Sequence, residues 1–290
     1  SYPLYTLLFL LFFSGIIRHD VKESKYVKLG QQRQFNCVSQ VFLGSTPNAS
    51  AVLISENFAL SAAHIFIDSD TRMDTVKING KRVILSTSIN ERVIDFNKLS
   101  ILHNGKYIKV KSLVIHPNYL NTSTKGSCDI ALLELEEPIK DVLFPKINNT
   151  FDELNSKVVG VGYGASGMAD KPETVKRKYT KIAGENVIDL VAGAEYGQHQ
   201  TVLNFDFDHP TRKDCNKMGS ANPLRLEYTA GGGDSGGGLF RKKGNTWELV
   251  GIASSGSINI EQFKKTGYYG QTMSWTRVAA FHDWVLNQLK

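Results

Sequence analysis

The chain has 290 residues, 41% of them hydrophobic, enough for real cores. That length supports one large or two ordinary domains, and a folded chain of this size buries about 75% of its unfolded surface. The net charge of +6 and pI near 9.0 are moderate. No dense Lys/Arg block accompanies them: the nearest, Lys176 to Lys181, reads as a solvated loop or strand face, so nucleic acid is excluded as a partner.

Leu4 to Phe13 is an apolar run, extended by Ile16 and Ile17. It falls short of the roughly 20 residues of a membrane span. It fits the apolar region of a signal peptide, with the small residues Ser14 and Gly15 after it. Residues 1–15 are therefore expected to be a signal peptide, ahead of a membrane anchor or a buried first strand. Arg18 to Gln34 is polar and reads as a surface segment. Phe35 to Leu43 reads as a strand, followed by the turn Gly44 to Asn48. Ala51 to Ile54 and Phe58 to Ser61 are short strands, and the second delivers Ala62-Ala63-His64. Val76-Lys77-Ile78 and Val83-Ile84-Leu85 flank the hairpin signal Asn79-Gly80. Short strands between regular turn signals indicate an all-β barrel or sandwich.

Val114 to Tyr119 contains the turn His116-Pro117, where His116 reads as structural. Pro138 to Leu154 reads as a connection between two halves, and Val158 to Gly164 opens the second. Its Gly-x-Gly is not followed by a βαβ pattern, so it is not a nucleotide loop. Leu249 to Gly256 is a strand with a small-residue edge. Val278, Phe281, Trp284, Val285 and Leu289 recur at helical spacing. Three cysteines, Cys37, Cys128 and Cys215, match no metal motif, and their odd count leaves at least one thiol free or intermolecular.

Chemistry concentrates in Gly231 to Gly238, where six glycines surround Asp234 and Ser235. Such a turn can present a hydroxyl while aiming backbone N–H groups at one point. Acyl transfer needs those two elements. Taken alone, His64 would be a core histidine and Asp129 a turn carboxylate. In the order His64, Asp129, Ser235 they fit a base, an orienting carboxylate and a nucleophile. The N–H groups of Gly233 and Ser235 would stabilise the oxyanion, about 3 kcal/mol per donor.

These segments resemble the chymotrypsin-like (trypsin-like) serine proteases, from about Ile16 to the C-terminus. The resemblance implies an all-β fold of two antiparallel six-stranded barrels with a C-terminal α-helix. Residues 16–148 would carry His64 and Asp129, and residues 149–290 would carry Ser235. It implies a secreted endopeptidase acting on protein or peptide, as a monomer, without cofactor, metal or membrane anchor. Ser254 would hydrogen-bond Asp129, and Thr229 would lie at the base of the primary substrate pocket. With Thr229 there rather than an acid, cleavage after Arg or Lys is not expected, because a buried unpartnered cation is costly. Ala253, Gly256 and Met273 would line that pocket, Gly256 leaving its wall open, and Ser255 would flank a shallow neighbouring subsite.

In maturation, a freed Ile16 ammonium would pair with Asp234, with Ile17 as the alternative terminus. Arg18-His19 departs from the usual Gly-Gly there. Ile65 and Gly231 stand where many relatives carry bridging cysteines, and that departure suggests a bacterial-type member. Gly233-x-Ser235-x-Gly237 also fits the nucleophile elbow of α/β-hydrolase esterases, but the helix-rich pattern and a suitably placed later His are missing. A non-catalytic binding homologue is the other alternative, disfavoured because all three residues are retained. Asn48, Asn121 and Asn148 head glycosylation sequons.

Overall fold

A computed structural model describes residues 15–78, 80–121 and 125–290. The apolar run Leu4 to Phe13 lies outside the described residues. Strand β1 (Gly15–Ile17) leads into helix α1 (Glu23–Gly30). Six strands then close the first barrel: β2 (Val38–Leu43), β3 (Thr46–Leu53), β4 (Phe58–Ser61) and, beyond the hairpin β5 (Ile67–Ile78) and β6 (Lys81–Val93), β7 (Leu99–His103), β8 (Lys106–Ile115) and β9 (Ala131–Leu135). The hydrogen-bonded order around it is β2-β3-β4-β9-β8-β7. Leu99, Ile101 and His103 of β7 face inward and their neighbours outward, the period-two burial of a half-solvated strand. Ala59, Leu60, Ala131 and Leu133 are fully buried, and each fully buried Leu contributes about 1.5–3 kcal/mol.

The second half contains β10 (Lys146–Ile147), β11 (Lys157–Gly162), β12 (Ser166–Met168), β13 (Ile182–Val187), β14 (Leu190–Tyr196), β15 (His199–Asp206), β16 (Tyr228–Thr229), β17 (Gly238–Lys243), β18 (Thr246–Ser257), helix α2 (Ile260–Thr266), β19 (Thr272–Arg277) and helix α3 (Val278–Gln288). Eight of these strands form one sheet, in the order β13-β11-β17-β18-β19-β15-β14 with β10 beside β18. Its core is built from Val158, Ile182, Leu203, Phe205, Leu239, Val250 and Trp275. The fold is thus all-β with a closed first barrel and a C-terminal helix, as the sequence implied.

Three boundaries differ from the sequence reading. Ile17 and Tyr26 belong to the second core, so the segment from Ile16 through α1 sits on the second half, not in a first domain of 16–148. Tyr26 explains this placement: it is fully buried and its hydroxyl donates to Glu227 O at 2.9 Å. At the other boundary, β10 already pairs with β18, so the chain enters the second sheet by Lys146. The third difference is α3, which lies against β10, β15 and β18 while Val278, Phe281 and Val285 join a core that both halves share. His116 lies edge-on to Phe281 at 5.0 Å and to Trp284 at 4.9 Å, and burial pushes its pKa down to about 4. It is a neutral packing group where the helix meets the barrel.

Candidate active site

Strand pairing brings His64 and Asp129 together. β4 and β9 run antiparallel with Ser61 opposite Ala131, so the residues after Ser61 and before Ala131 leave at the same end. Ala62 and Ala63 are fully buried, and a short 3-10 turn, Ala63–Phe66, carries His64. Asp129 Oδ1 accepts from the His64 backbone N–H at 2.8 Å, and Oδ2 lies 2.7 Å from Nδ1 of the ring. Ser254 Oγ donates to the same Oδ2 at 2.6 Å. A β-bulge between Ala253 and Ser255 puts Ser254 out of ladder register, which lets it turn toward the carboxylate. Thr276 Oγ1 donates to Asp129 O at 2.8 Å.

The third group arrives from the second half. Ser235 lies in the turn before β17, and its Oγ lies 3.0 Å from His64 Nε2. Two residues of this turn have left-handed backbone, Gly233 (φ +93°) and Gly236 (φ +81°). A β-carbon on Gly236 would also stand 2.0 Å from Ser61 Oγ, so glycine is required twice over there. Among the described residues neither the Gly233 nor the Ser235 N–H is engaged by a protein acceptor.

Electrostatics oppose each other within the site. Burial pushes Asp129 up, but the charge of His64 and the bonds from His64 and Ser254 outweigh it and hold the carboxyl below its usual range. Burial likewise pulls His64 down, and Asp129 reverses that, leaving the imidazole raised. His64 keeps 34% side-chain exposure, Asp129 only 4%. The pair is therefore an open base held by a shielded acid.

Asp234 is buried beneath the turn, 1% exposed. It accepts from Gly164 N at 2.8 Å and Gly231 N at 3.0 Å. Burial pushes it up to about 6, against these bonds and the charge of Arg177. Gly162 and Gly164 wrap it so closely that a β-carbon on either would stand within 2.6 Å of its carboxylate. That is the structural role of Val158 to Gly164. Ile16 is fully buried in the small sheet β12-β1-β16, paired with Thr229 and Gly167. Gly15 abuts Asp234, with its β-carbon position 3.5 Å from Oδ2. No ion pair to Asp234 forms among the described residues.

The surroundings of Thr229 and Gly256 correct one expectation. Thr229 is fully buried and Ser255 exposed. Met273 pairs with Gly256 across β18 and β19. The wall at Gly256 is not open, however: a β-carbon there would meet Gln271 Nε2 at 2.8 Å and Met273 Sδ at 3.6 Å. The buried Gln271 amide occupies that space and donates to Thr229 Oγ1 and Ala230 O, both at 3.1 Å. Sequence reasoning passed over Gln271 because nothing in its neighbourhood fixes the register.

Ser50 was also missed. Its N–H donates to Ser235 O at 2.9 Å and its Oγ to Gly233 O at 2.9 Å, while Tyr163 N donates to that Oγ at 2.9 Å. One first-barrel serine thus bonds to two carbonyls of the Gly-rich turn that carries Ser235. All three cysteines are buried and free, with burial pushing Cys37 up to about 12 and Cys128 to about 11. Asn148 is fully buried and donates to Thr150 O and Glu153 Oε1, so a glycan cannot be attached to it in the folded chain.

Comparison with known proteins agrees with this architecture. The Trypsin family profile matches residues 28–285. A "CLIP domain-containing serine protease B4" of Anopheles gambiae is 25% identical over 257 residues, covering 82% of this chain and 61% of that protein. A "Phenoloxidase-activating factor 3" of Holotrichia diomphalia is 24% identical over 292 residues, covering 93% of this chain and 70% of that protein. The chain therefore spans less than two thirds of the first relative's length. Both relatives are insect proteins, so the bacterial-type expectation drawn from the missing cysteines finds no support. Ile65 packs against the first core where a bridging cysteine was looked for, which accounts for the loss without reference to source. With a family match across most of its length and a closed six-stranded β-barrel, the chain belongs to the trypsin family of serine proteases.

Proposed function

We propose that the chain is an active, secreted serine endopeptidase. The observation that carries this reading is the relay Asp129 Oδ2, His64 Nδ1, His64 Nε2, Ser235 Oγ, with links of 2.7 and 3.0 Å across two halves of the fold. Ser235 Oγ attacks the scissile carbonyl as His64 takes its proton. His64 then returns that proton to the leaving amine, and water repeats the cycle on the acyl-enzyme. Asp129 holds the tautomer and stabilises the imidazolium. The Gly233 and Ser235 N–H groups receive the oxyanion.

Thr229, Gln271 and Met273 favour a small uncharged side chain before the scissile bond, since none offers a carboxylate to Arg or Lys. Ser255 and Gly256 border the neighbouring backbone. Gly15 beside Asp234 supports maturation by cleavage before Ile16. The three cysteines are buried and unpaired, which keeps them out of reach of oxidants in the folded chain. Among the described residues no helix is long and apolar enough to cross a membrane.

A fluorophosphonate probe should label Ser235 of the matured chain, and a peptide library should reveal internal cleavage. Ser235→Ala and His64→Ala should each remove nearly all turnover, with the double variant little worse, because the residues act as a unit. Substantial activity in Ser235→Ala, or selective cleavage after Arg or Lys, contradicts this reading.

A further inference from the structure

An exposed cation, Arg177, stands beside the Ser235 turn with no carboxylate bonded to it, although its charge reaches the buried Asp234. Arg177 Nη1 donates to Pro47 O at 2.5 Å and Nη2 to Asn48 O at 3.2 Å. The same Nη2 lies over Gly233, where an added β-carbon would come within 3.1 Å of it. Among the described residues Arg177 forms no ion pair. A guanidinium has five N–H donors in one plane. Two carbonyls fix this plane without neutralising it, so the remaining donors stay available at the cleft.

The geometry also gives the side of the cleft. Asn48 Nδ2 donates to Ile65 O at 3.4 Å, and Ile65 follows His64 directly. Pro47 and Asn48 therefore flank the His64 side of Ser235. His64 protonates the leaving amine, so the chain beyond the scissile bond departs on that side. Ser50, two residues after Asn48, binds Ser235 O and Gly233 O, which keeps the strand against the turn.

We infer that Arg177 binds substrate, selecting an Asp or Glu side chain within the first two residues after the scissile bond. The inference rests on the endopeptidase reading above. A carboxylate there meets a preorganised fork that can bind it through two N–H donors. The rotamer cost is small because the two carbonyls already hold the guanidinium. A Lys or Arg at the same place meets a like charge instead.

The test uses matured protein and three internally quenched peptides that differ only after the scissile bond, carrying Glu, Gln or Lys. Active sites are counted with the fluorophosphonate probe, so that each variant is compared per assembled site. The natural chain should prefer Glu over Lys by about tenfold in kcat/KM, equivalent to about 1.4 kcal/mol. Added salt should compress that ratio. Arg177→Gln should flatten it to within about a factor of two, and Arg177→Glu should invert it. Arg177→Lys should keep part of the preference, since charge survives without the planar fork.

If Arg177 only straps two loops, its variants will change all three peptides by one factor and leave the ratio alone. That result, or a natural chain indifferent to the three peptides, overturns the inference while leaving the endopeptidase reading intact. Absence of both labelling and cleavage overturns the endopeptidase reading, and this inference with it.

Discussion

Asp234 is the least comfortable charge near the catalytic turn, and its discomfort should depend on pH. The carboxyl is buried, takes two backbone N–H bonds, and still sits near 6 rather than its ordinary 3.8. An acid whose folded pKa is raised holds its proton longer in the folded state than in the unfolded one. It therefore costs nothing below about pH 3.8, and its destabilisation grows until pH passes about 6. A shift of about two units at 1.36 kcal/mol each gives about 3 kcal/mol at neutral pH. Cleavage between Gly15 and Ile16 would place an ammonium where Gly15 now abuts Oδ2. A paired Asp234 would titrate lower, and the cost would vanish.

The form beginning at Ile16 should thus exceed the form retaining Gly15 by about 3 kcal/mol at pH 7. The two should nearly coincide at pH 4. Equilibrium urea unfolding of both forms, each carrying Ser235→Ala to prevent self-cleavage, would measure the gap between pH 4 and 8. Asp189, Asp208 and Glu227 are also raised, to about 7, 7 and 8. They lower stability in the same pH direction, but equally in both forms, so they cancel in the difference. A gap that does not change with pH would refute the reasoning. So would full activity in the uncut form, because an acylated nitrogen offers Asp234 no charge.

Ser50→Ala should remove the clamp on the catalytic turn, leaving Gly233 O and Tyr163 N unpaired. A stability loss of about 1–3 kcal/mol is expected, with kcat falling more than KM changes, read by denaturant unfolding and steady-state kinetics. The activity profile should rise with pH to a midpoint above 6.5, because His64 acts as a base only when neutral and Asp129 raises it. Asp129→Asn should lower both the rate and that midpoint; an unmoved midpoint would mean another group controls the profile. Glu153→Ala should cost about 3–5 kcal/mol. Glu153 is fully buried and takes both Arg277 Nε at 3.0 Å and Nη2 at 2.5 Å, so thermal unfolding should report an orphaned guanidinium.

What was legible in the sequence was whatever a local pattern fixes. His64 follows two alanines because its turn is buried, and Ser235 sits among glycines because φ is positive on both sides of it. Ser254 was reachable through the resemblance, although the bulge that aims it was not. Two helices escaped notice for a different reason. α1 buries Tyr26 and Gly30 but reads as a run of charges, and α2 has seven residues, too few to show a period. Val158 to Gly164 gave a strand but hid its purpose, since the atoms that demand glycine there belong to Asp234, 70 residues later.

The residues that join the two halves were the least legible, and physical chemistry explains why. The proposed catalysis needs Ser235 held from the His64 side, or the 3.0 Å link drifts with any motion between halves. Ser50 and Arg177 supply that hold through hydroxyl and guanidinium bonds to backbone carbonyls. A carbonyl acceptor exists at every residue, so such a bond leaves no mark on the partner's sequence. A serine in a strand and an arginine in a basic stretch then look like solvated surface. Only register and distance separate them from it: Ser50 opposite Gln40 in the barrel wall, Arg177 over Gly233. The proposed triad is written in residue types, whereas the frame that holds His64 and Ser235 together is written in backbone atoms.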